Sequence, residues 1–383
     1  VLATSNLALL TGNVGKPSAG ITPLRGQNNV QGACDLGALP NVFPGYQKVG
    51  VPEVQAKFEA AWGCALNATP GLTHTEIVDS VYAGTIKAMY QVGENPVLSE
   101  ADATHVEEAL DRIEFFVVQD IFLTETAQKA HVVLPAATFA EKDGTFTNTE
   151  RRVQRVRKAV NSPGEAKEDS WITCEIAKRM GADGFDFSGP KEIMEEISSV
   201  LPAYGGISYD RIDEIGLQWP CPSPEHAGTK YLHSERFATA DGKGKLMPLE
   251  YKPPAEEDDE EYPLILTTDR SLYHFHTSTM TRKVEGLDEL CSEELLKIHP
   301  DDASRLRIAD GEMVEIASRR GKVTARANVT DICKPGVVSS TFHFVESPIN
   351  VVTHCAIDPV AKIPETKVCA VRVTKLDGSP AQA

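Results

Sequence analysis

The chain has 383 residues, 41% hydrophobic and 24% charged, with a formal net charge of −17. That length supports two or three domains with cores of their own, and no run reaches the roughly 18 consecutive apolar residues of a membrane helix. The acidic excess excludes duplex nucleic acid and anionic membrane surfaces as partners, which it would repel, but not small anions at local basic sites.

Residues 1–13, VLATSNLALLTGN, read as a helix with neither an initiator Met nor a basic leader, so a fragment or processed product of a longer chain is expected. Residues 22–37, TPLRGQNNVQGACDLG, follow. Their glycines and polar residues predict a loop rather than the interior of a helix or strand. Such a loop can present amides, backbone N–H groups and one guanidinium to a polar ligand.

An alternating pattern then runs from 84 to 135. Residues 86–92 predict a strand ending in the turn Gly93-Glu94-Asn95-Pro96, residues 100–112 a helix, 115–118 a second strand ending in Gln119-Asp120, and 132–134 a third stopped by Pro135. Strand, helix, strand, strand with short connections predicts an α/β fold with a doubly wound, mostly parallel sheet. Ligands of such sheets sit at the carboxyl ends of strands, here Gly93, Glu94 and Asp120. The GxGxxG fingerprint of dinucleotide sites is absent.

Residues 136–250 are mixed, with helices predicted at 171–180 and 190–201. Six consecutive acids at 256–261 predict a solvated linker and a domain boundary. Beyond it the texture is β. Short strands are predicted at 264–268, 313–318, 322–329, 337–344 and 369–373, with a hairpin turn at 319–322 and a helix starting near 299–303. Many short strands around one short helix predict a small barrel. The expected divisions are 1–160, an α/β region; 161–255, its mixed continuation; 256–262, the acidic linker; and 263–383, the barrel. The eight cysteines are scattered with no CxxC pair, which removes zinc and iron–sulfur spacings and predicts free thiols in a reducing, cytoplasmic setting. No metal ligand is expected within the chain.

Several segments, in order, carry a resemblance: PLRGQNNVQGACDLGALP (23–40), VGENP (92–96), QDIFLTETAQKAHVVLPA (119–136), EKDGTFTNTERRVQ (141–154), TTDRSLYHFHTSTMT (267–281), residues 299–327 and the tail 358–373. Together they resemble the molybdopterin oxidoreductases, and among them the catalytic subunits of formate dehydrogenase. The resemblance spans nearly the whole chain. It implies a molybdenum or tungsten ion held by two molybdopterin guanine dinucleotides, a C-terminal six-stranded double-psi β-barrel, and interconversion of formate and CO2. It also implies an iron–sulfur or flavin subunit as electron-transfer partner. The family's iron–sulfur domain, and the Cys or selenocysteine and His at its metal, have no counterpart here. The resemblance therefore places the [4Fe–4S] cluster and the metal ligand in an N-terminal portion or a separate chain.

By the same resemblance Arg25 faces the substrate carboxylate. A guanidinium offers a planar fork of donors that matches two carboxylate oxygens; the plainer alternative is an Arg bracing its loop. Gln27 and Asn28, with Asn29 and Asp35, either bind the cofactor or shape the loop through Asx-turns. Asp120 is similar to the family Asp that accepts from guanine, and it can equally cap the helix that follows. Thr124 is expected at a phosphate or ribose. Gly93 and Glu94 form either a ligand-approaching turn or a plain one. Gly144 belongs to a loop that resembles the one over the pterin. Arg270 and His274, with Thr277 and Ser278, suit phosphate contacts, and Asn350 and Lys367 fall where the family's tail covers a pterin. A nitrate-reductase-like oxygen-atom transfer and a non-catalytic relic of the fold are the alternatives.

Overall fold

A computed structural model of the chain describes residues 1–376. They form two compact units, each from two stretches: residues 1–72 with 136–252, and residues 73–135 with the chain from 253 onward. The sequence reading cut the chain into consecutive pieces instead.

In the first unit the N-terminal helix is Leu2–Leu10. The polar stretch holds a helix, Val30–Asp35, where composition predicts a loop. Gln31 and Asp35 stand one turn apart and bond each other at 2.7 Å, so side chains that would compete with the helix backbone are occupied. Asn29 enters the helix in the left-handed region, at φ 63°. A three-stranded antiparallel sheet follows, Gly144–Thr147 against Arg152–Val156 against Leu217–Gln218. The helix Pro190–Val200 starts on a proline whose φ is already helical. Its Met194 and Ile197, with Leu201 beyond its end, recur at three- and four-residue spacing and pack with Val153, Tyr204, Ile207 and Ile212.

In the second unit the strands Ala88–Val92, Phe115–Asp120 and Val132–Pro135 pair in that order, all parallel. The helices His74–Tyr82 and Ala103–Leu110 bury Val81, Val106, Ala109 and Leu110 in one core with Phe116 and Val118. A capping box opens the first of them, the Glu76 carboxylate accepting from the Thr73 N–H at 2.9 Å.

The barrel closes six strands in the order Leu295–Ile298, Lys322–Val329, Met313–Ala317, Cys369–Lys375, Leu264–Thr268 and Val337–Ser340, the last pairing with the first. Two pairs are parallel, Leu264–Thr268 with Val337–Ser340 and Leu295–Ile298 with Lys322–Val329; the other four are antiparallel. This is the double-psi arrangement, and closure leaves no open sheet edge. Alternation builds its interior: Leu264, Leu266, Leu296, Ile298, Val314, Ile316, Val338 and Val371 are fully buried. Leu266→Ala is expected to cost about 2–5 kcal/mol, read as a lower urea midpoint at unchanged slope.

Three expectations need correction here. Leu295–Ile298 is a sixth strand that the texture reading missed. The strand predicted over 337–344 stops at Ser340, where the next N–H, that of Thr341, goes to the Glu294 carboxylate. The acidic run is also more than a solvated linker. Glu256 binds Arg319 at 2.6 Å and Arg320 at 2.9 Å, and accepts the Ala370 N–H at 2.8 Å.

Candidate functional site

The first unit gathers the residues around Arg25. Asn29 accepts the Thr147 N–H at 2.8 Å, tying the helix entry to the strand Gly144–Thr147. Gly32 is required beside it, since a Cβ there would come within 2.2 Å of Asn29 Oδ1. A cavity of about 240 Å³ opens on this corner, lined by Arg25, Gln27, Asn28, Gln31, Thr147 and Asn148 among others. Arg25 is exposed and donates from Nη2 to Gln31 Oε1 at 3.1 Å. Behind it Asp35 is buried and accepts from four groups. Gln31 Nε2 at 2.7 Å and Tyr46 OH at 2.9 Å meet Oδ1; Tyr204 OH at 3.0 Å and Trp219 Nε1 at 2.6 Å meet Oδ2. Burial raises its carboxyl pKa above the ordinary range, and the four donors oppose that rise. Gly144 opens the neighbouring strand with free space where a side chain would stand. The sequence reading missed Gln31 and gave Asp35 no role as a hub. Their i, i+4 spacing was the available signal.

The second unit has its own polar cluster. Gly93 follows the first parallel strand at φ 65° and donates its N–H to Gln119 O at 2.8 Å. Glu94 is half-buried, and Asp120 ends the next strand with Oδ1 accepting the Ile121 N–H at 2.7 Å. Thr124, not Asp120, caps the following helix: its hydroxyl is buried and accepts the Ala127 N–H at 3.1 Å.

His274 and Asn350 are likewise buried and bonded within the fold. The His274 ring is buried, with Nε2–H donating to Cys291 O at 2.6 Å and Nδ1 facing the Thr281 hydroxyl at 3.1 Å. Asn350 is buried and donates to Leu98 O at 2.7 Å, pinning the barrel segment to the α/β segment of its own unit. His276 lies two residues beyond His274. It is half-buried against Phe342, near Arg270 and Glu94, and burial lowers its pKa. His343 behind it donates Nδ1–H to His276 O and accepts the Ser271 N–H at 2.9 Å; burial holds it at about 4, so it stays neutral.

Arg270 is exposed over the Phe342 ring at 4.0 Å, and Lys367 donates to Thr268 Oγ1 at 2.9 Å. Burial, and then the charge of Arg270, lower the Lys367 pKa, so two cations share this corner. Asp269 beside them binds Lys297 through Oδ2, while its buried Oδ1 has no hydrogen-bond partner among the described residues. An orphaned acceptor beside two cations fits a ligand that carries both anionic oxygens and N–H or O–H donors. Elsewhere, ligand atoms of Glu256, His354 and Cys369 lie within 4.8 Å of one another. Glu256 is already held by its arginines, and His354 Nε2–H donates to Val368 O at 2.8 Å, so this group braces the barrel. All eight cysteines are free thiols.

Comparison with known proteins gives the family. Residues 1–179 match the family model described as molybdopterin oxidoreductase, and residues 264–370 that of the molydopterin dinucleotide binding domain. The chain belongs to the molybdopterin oxidoreductases. It is 53% identical to the F420-dependent formate dehydrogenase subunit alpha of Methanocaldococcus jannaschii, over 98% of this chain and 56% of that protein. It is 39% identical to formate dehydrogenase H of Escherichia coli (97% and 53%) and 36% identical to the assimilatory nitrate reductase catalytic subunit of Bacillus subtilis (96% and 53%). The chain thus spans little more than half the length of these relatives. Acetylene hydratase from Pelobacter acetylenicus shares the fold, with a TM-score of 0.64 at 18% identity, over 85% of this chain and 50% of that one. This molybdopterin oxidoreductase has, among its described residues, no helix long and apolar enough to cross a membrane.

Proposed function

We propose that the chain is the cofactor-binding portion of the catalytic subunit of a formate dehydrogenase, converting formate to CO2, one proton and two electrons, or running the reverse. The observation that carries the reading is Arg25, exposed at a polar cavity and steadied on one side by Gln31 at 3.1 Å. Its other N–H groups can take a carboxylate in a planar fork, orienting the anion without offering a base. The relatives named as formate dehydrogenase subunits support the substrate.

The cofactor of this reading is a pair of molybdopterin guanine dinucleotides with molybdenum or tungsten. Gln27, Asn28 and Gly144 would contact pterin. Arg270, Lys367 and His276 would hold phosphates, and Asp120, with Gly93 and Glu94, guanine. Once bound, the group supplies the two-electron acceptor. An N-terminal portion or a separate chain would hold the metal ligand and the [4Fe–4S] cluster. An iron–sulfur or flavin subunit would take the electrons on, in the cytoplasm.

A nitrate-reductase-like oxygen-atom transfer is the second reading, favoured by the 36% identical nitrate reductase subunit. The test is metal analysis, guanine release and dye-linked assays on the purified holoenzyme that contains this chain. Molybdenum or tungsten, guanine nucleotide and formate-dependent dye reduction are expected. Nitrate reduction without formate oxidation would replace the first reading with the second. Absence of both metals and of guanine would leave a non-catalytic relic.

A further inference from the structure

We propose that Gln31 and Asp35 are positioning residues for Arg25: the buried Asp35 carboxylate fixes the polarity of the Gln31 amide, so that its oxygen rather than its nitrogen faces the guanidinium. The inference rests on reading Arg25 as the formate-binding residue.

The polarity follows from a chain of donors and acceptors. Asp35 sits behind the loop and is buried. On its far side, Oδ2 receives the indole N–H of Trp219 at 2.6 Å and the Tyr204 hydroxyl at 3.0 Å. On its near side, Oδ1 receives Gln31 Nε2 at 2.7 Å. An ionised carboxylate only accepts, so the Gln31 amide must turn its NH2 inward. Its oxygen then points outward and accepts from Arg25 Nη2 at 3.1 Å. A flipped amide would set oxygen against carboxylate and N–H against guanidinium, unfavourable at both ends. The Tyr46 hydroxyl joins the same Oδ1 at 2.9 Å and lies 3.2 Å from Gln31 Nε2, so a second segment of chain meets the helix on this side of the node. The guanidinium therefore meets its ligand from a held position, and holding a binding group beforehand strengthens binding.

Asp35→Asn tests this sharply, because the indole N–H of Trp219 can only donate. The oxygen of the new amide must face Trp219, which leaves its NH2 facing Gln31. Gln31 must then flip and turn its own NH2 on Arg25. Adding Gln31→Glu restores the pattern, since a carboxylate at position 31 accepts from the amide behind and from Arg25 in front.

In the holoenzyme, Asp35→Asn is expected to raise KM for formate about tenfold, the effect of one lost hydrogen bond to a charged group, with metal and guanine content unchanged. Asp35→Asn with Gln31→Glu is expected to return KM close to the parent value. In an Arg25→Ala background Asp35→Asn is expected to add nothing further, because both act through one group. Phenylglyoxal labelling of Arg25, followed by mass spectrometry, reads the same release without formate: faster in Asp35→Asn, restored in the double variant. Should Asp35→Asn fail to fold, Gln31→Leu replaces it, with faster labelling and raised KM expected. An unchanged labelling rate, a failed rescue with cofactor retained, or full additivity with Arg25→Ala would overturn the relay. If Arg25→Ala leaves formate kinetics untouched while the labelling pattern holds, the relay stands and the formate reading is what fails.

Discussion

Arg25→Ala in the holoenzyme is expected to lower kcat/KM for formate by about a thousandfold, and Arg25→Lys by roughly ten- to a hundredfold, with molybdenum or tungsten and guanine content at parent levels. The asymmetry follows from the side chains. Lysine keeps a positive charge but offers a compact ammonium in place of a planar fork, so a carboxylate keeps its attraction and loses its orientation. Alanine removes both. Cofactor content is expected to hold because Arg25 is exposed and bonds the fold through Gln31 at 3.1 Å, whereas the buried hub is Asp35. Steady-state kinetics against formate concentration, beside metal and guanine analysis of the same preparation, checks the result. Loss of cofactor together with activity would make Arg25 a brace of its loop.

The second large effect is on stability. Two carboxylates of the barrel, one buried and one half-buried, respond to pH with opposite sign. Glu294 is almost fully buried and accepts from the Ser340 hydroxyl at 2.9 Å, the Thr341 N–H at 2.8 Å and the Thr341 hydroxyl. Burial raises its pKa to about 7, against those donors and with help from the charge of Asp269. Between pH 4.5 and 7 the folded chain therefore holds more protons at this group than the unfolded chain, and stability falls as pH rises, by roughly 3 kcal/mol in all. Burial also acts to raise Glu256, but Arg320, the Ala370 N–H and Arg319 outweigh it and hold the carboxyl at about 2. Its contribution is complete above about pH 4.5 and is lost as pH falls through 2, again by roughly 3 kcal/mol. Together the pair favours the barrel most near pH 4–5. Glu294→Gln is expected to flatten the limb between pH 5 and 7, seen as urea midpoints that no longer drift apart. A limb of the same slope in the variant would assign it to other groups.

Much of the fold is legible in the sequence because its signals are local. The runs at 86–92, 115–118 and 132–134 are apolar and sharply terminated, and they fold as Ala88–Val92, Phe115–Asp120 and Val132–Pro135. The hairpin at 319–322 joins Met313–Ala317 to Lys322–Val329 with Ala317 opposite Lys322. The misses come where distant groups decide. Val30–Asp35 has the composition of a loop, yet the Gln31–Asp35 bond and the donors from Tyr46, Tyr204 and Trp219 make it a helix. In the run His274-Phe275-His276 the sequence offers two imidazoles two residues apart. Which one is buried depends on Cys291 and Thr281, far along the chain or on another turn. Asn350 carries amide chemistry that suits a ligand, but Leu98 consumes it. Leu295–Ile298 is too short to stand out before a proline-led helix.

The discontinuous second unit has a consequence for synthesis. Its parallel sheet, residues 73–135, leaves the ribosome first, and all of residues 136–252 follow before any barrel strand is made. The anchor from Asn350 to Leu98 forms only after residue 350 has emerged. Closing so long a loop is slow. The interval in which a chaperone has most to protect therefore lies after the sheet is made and before the barrel closes.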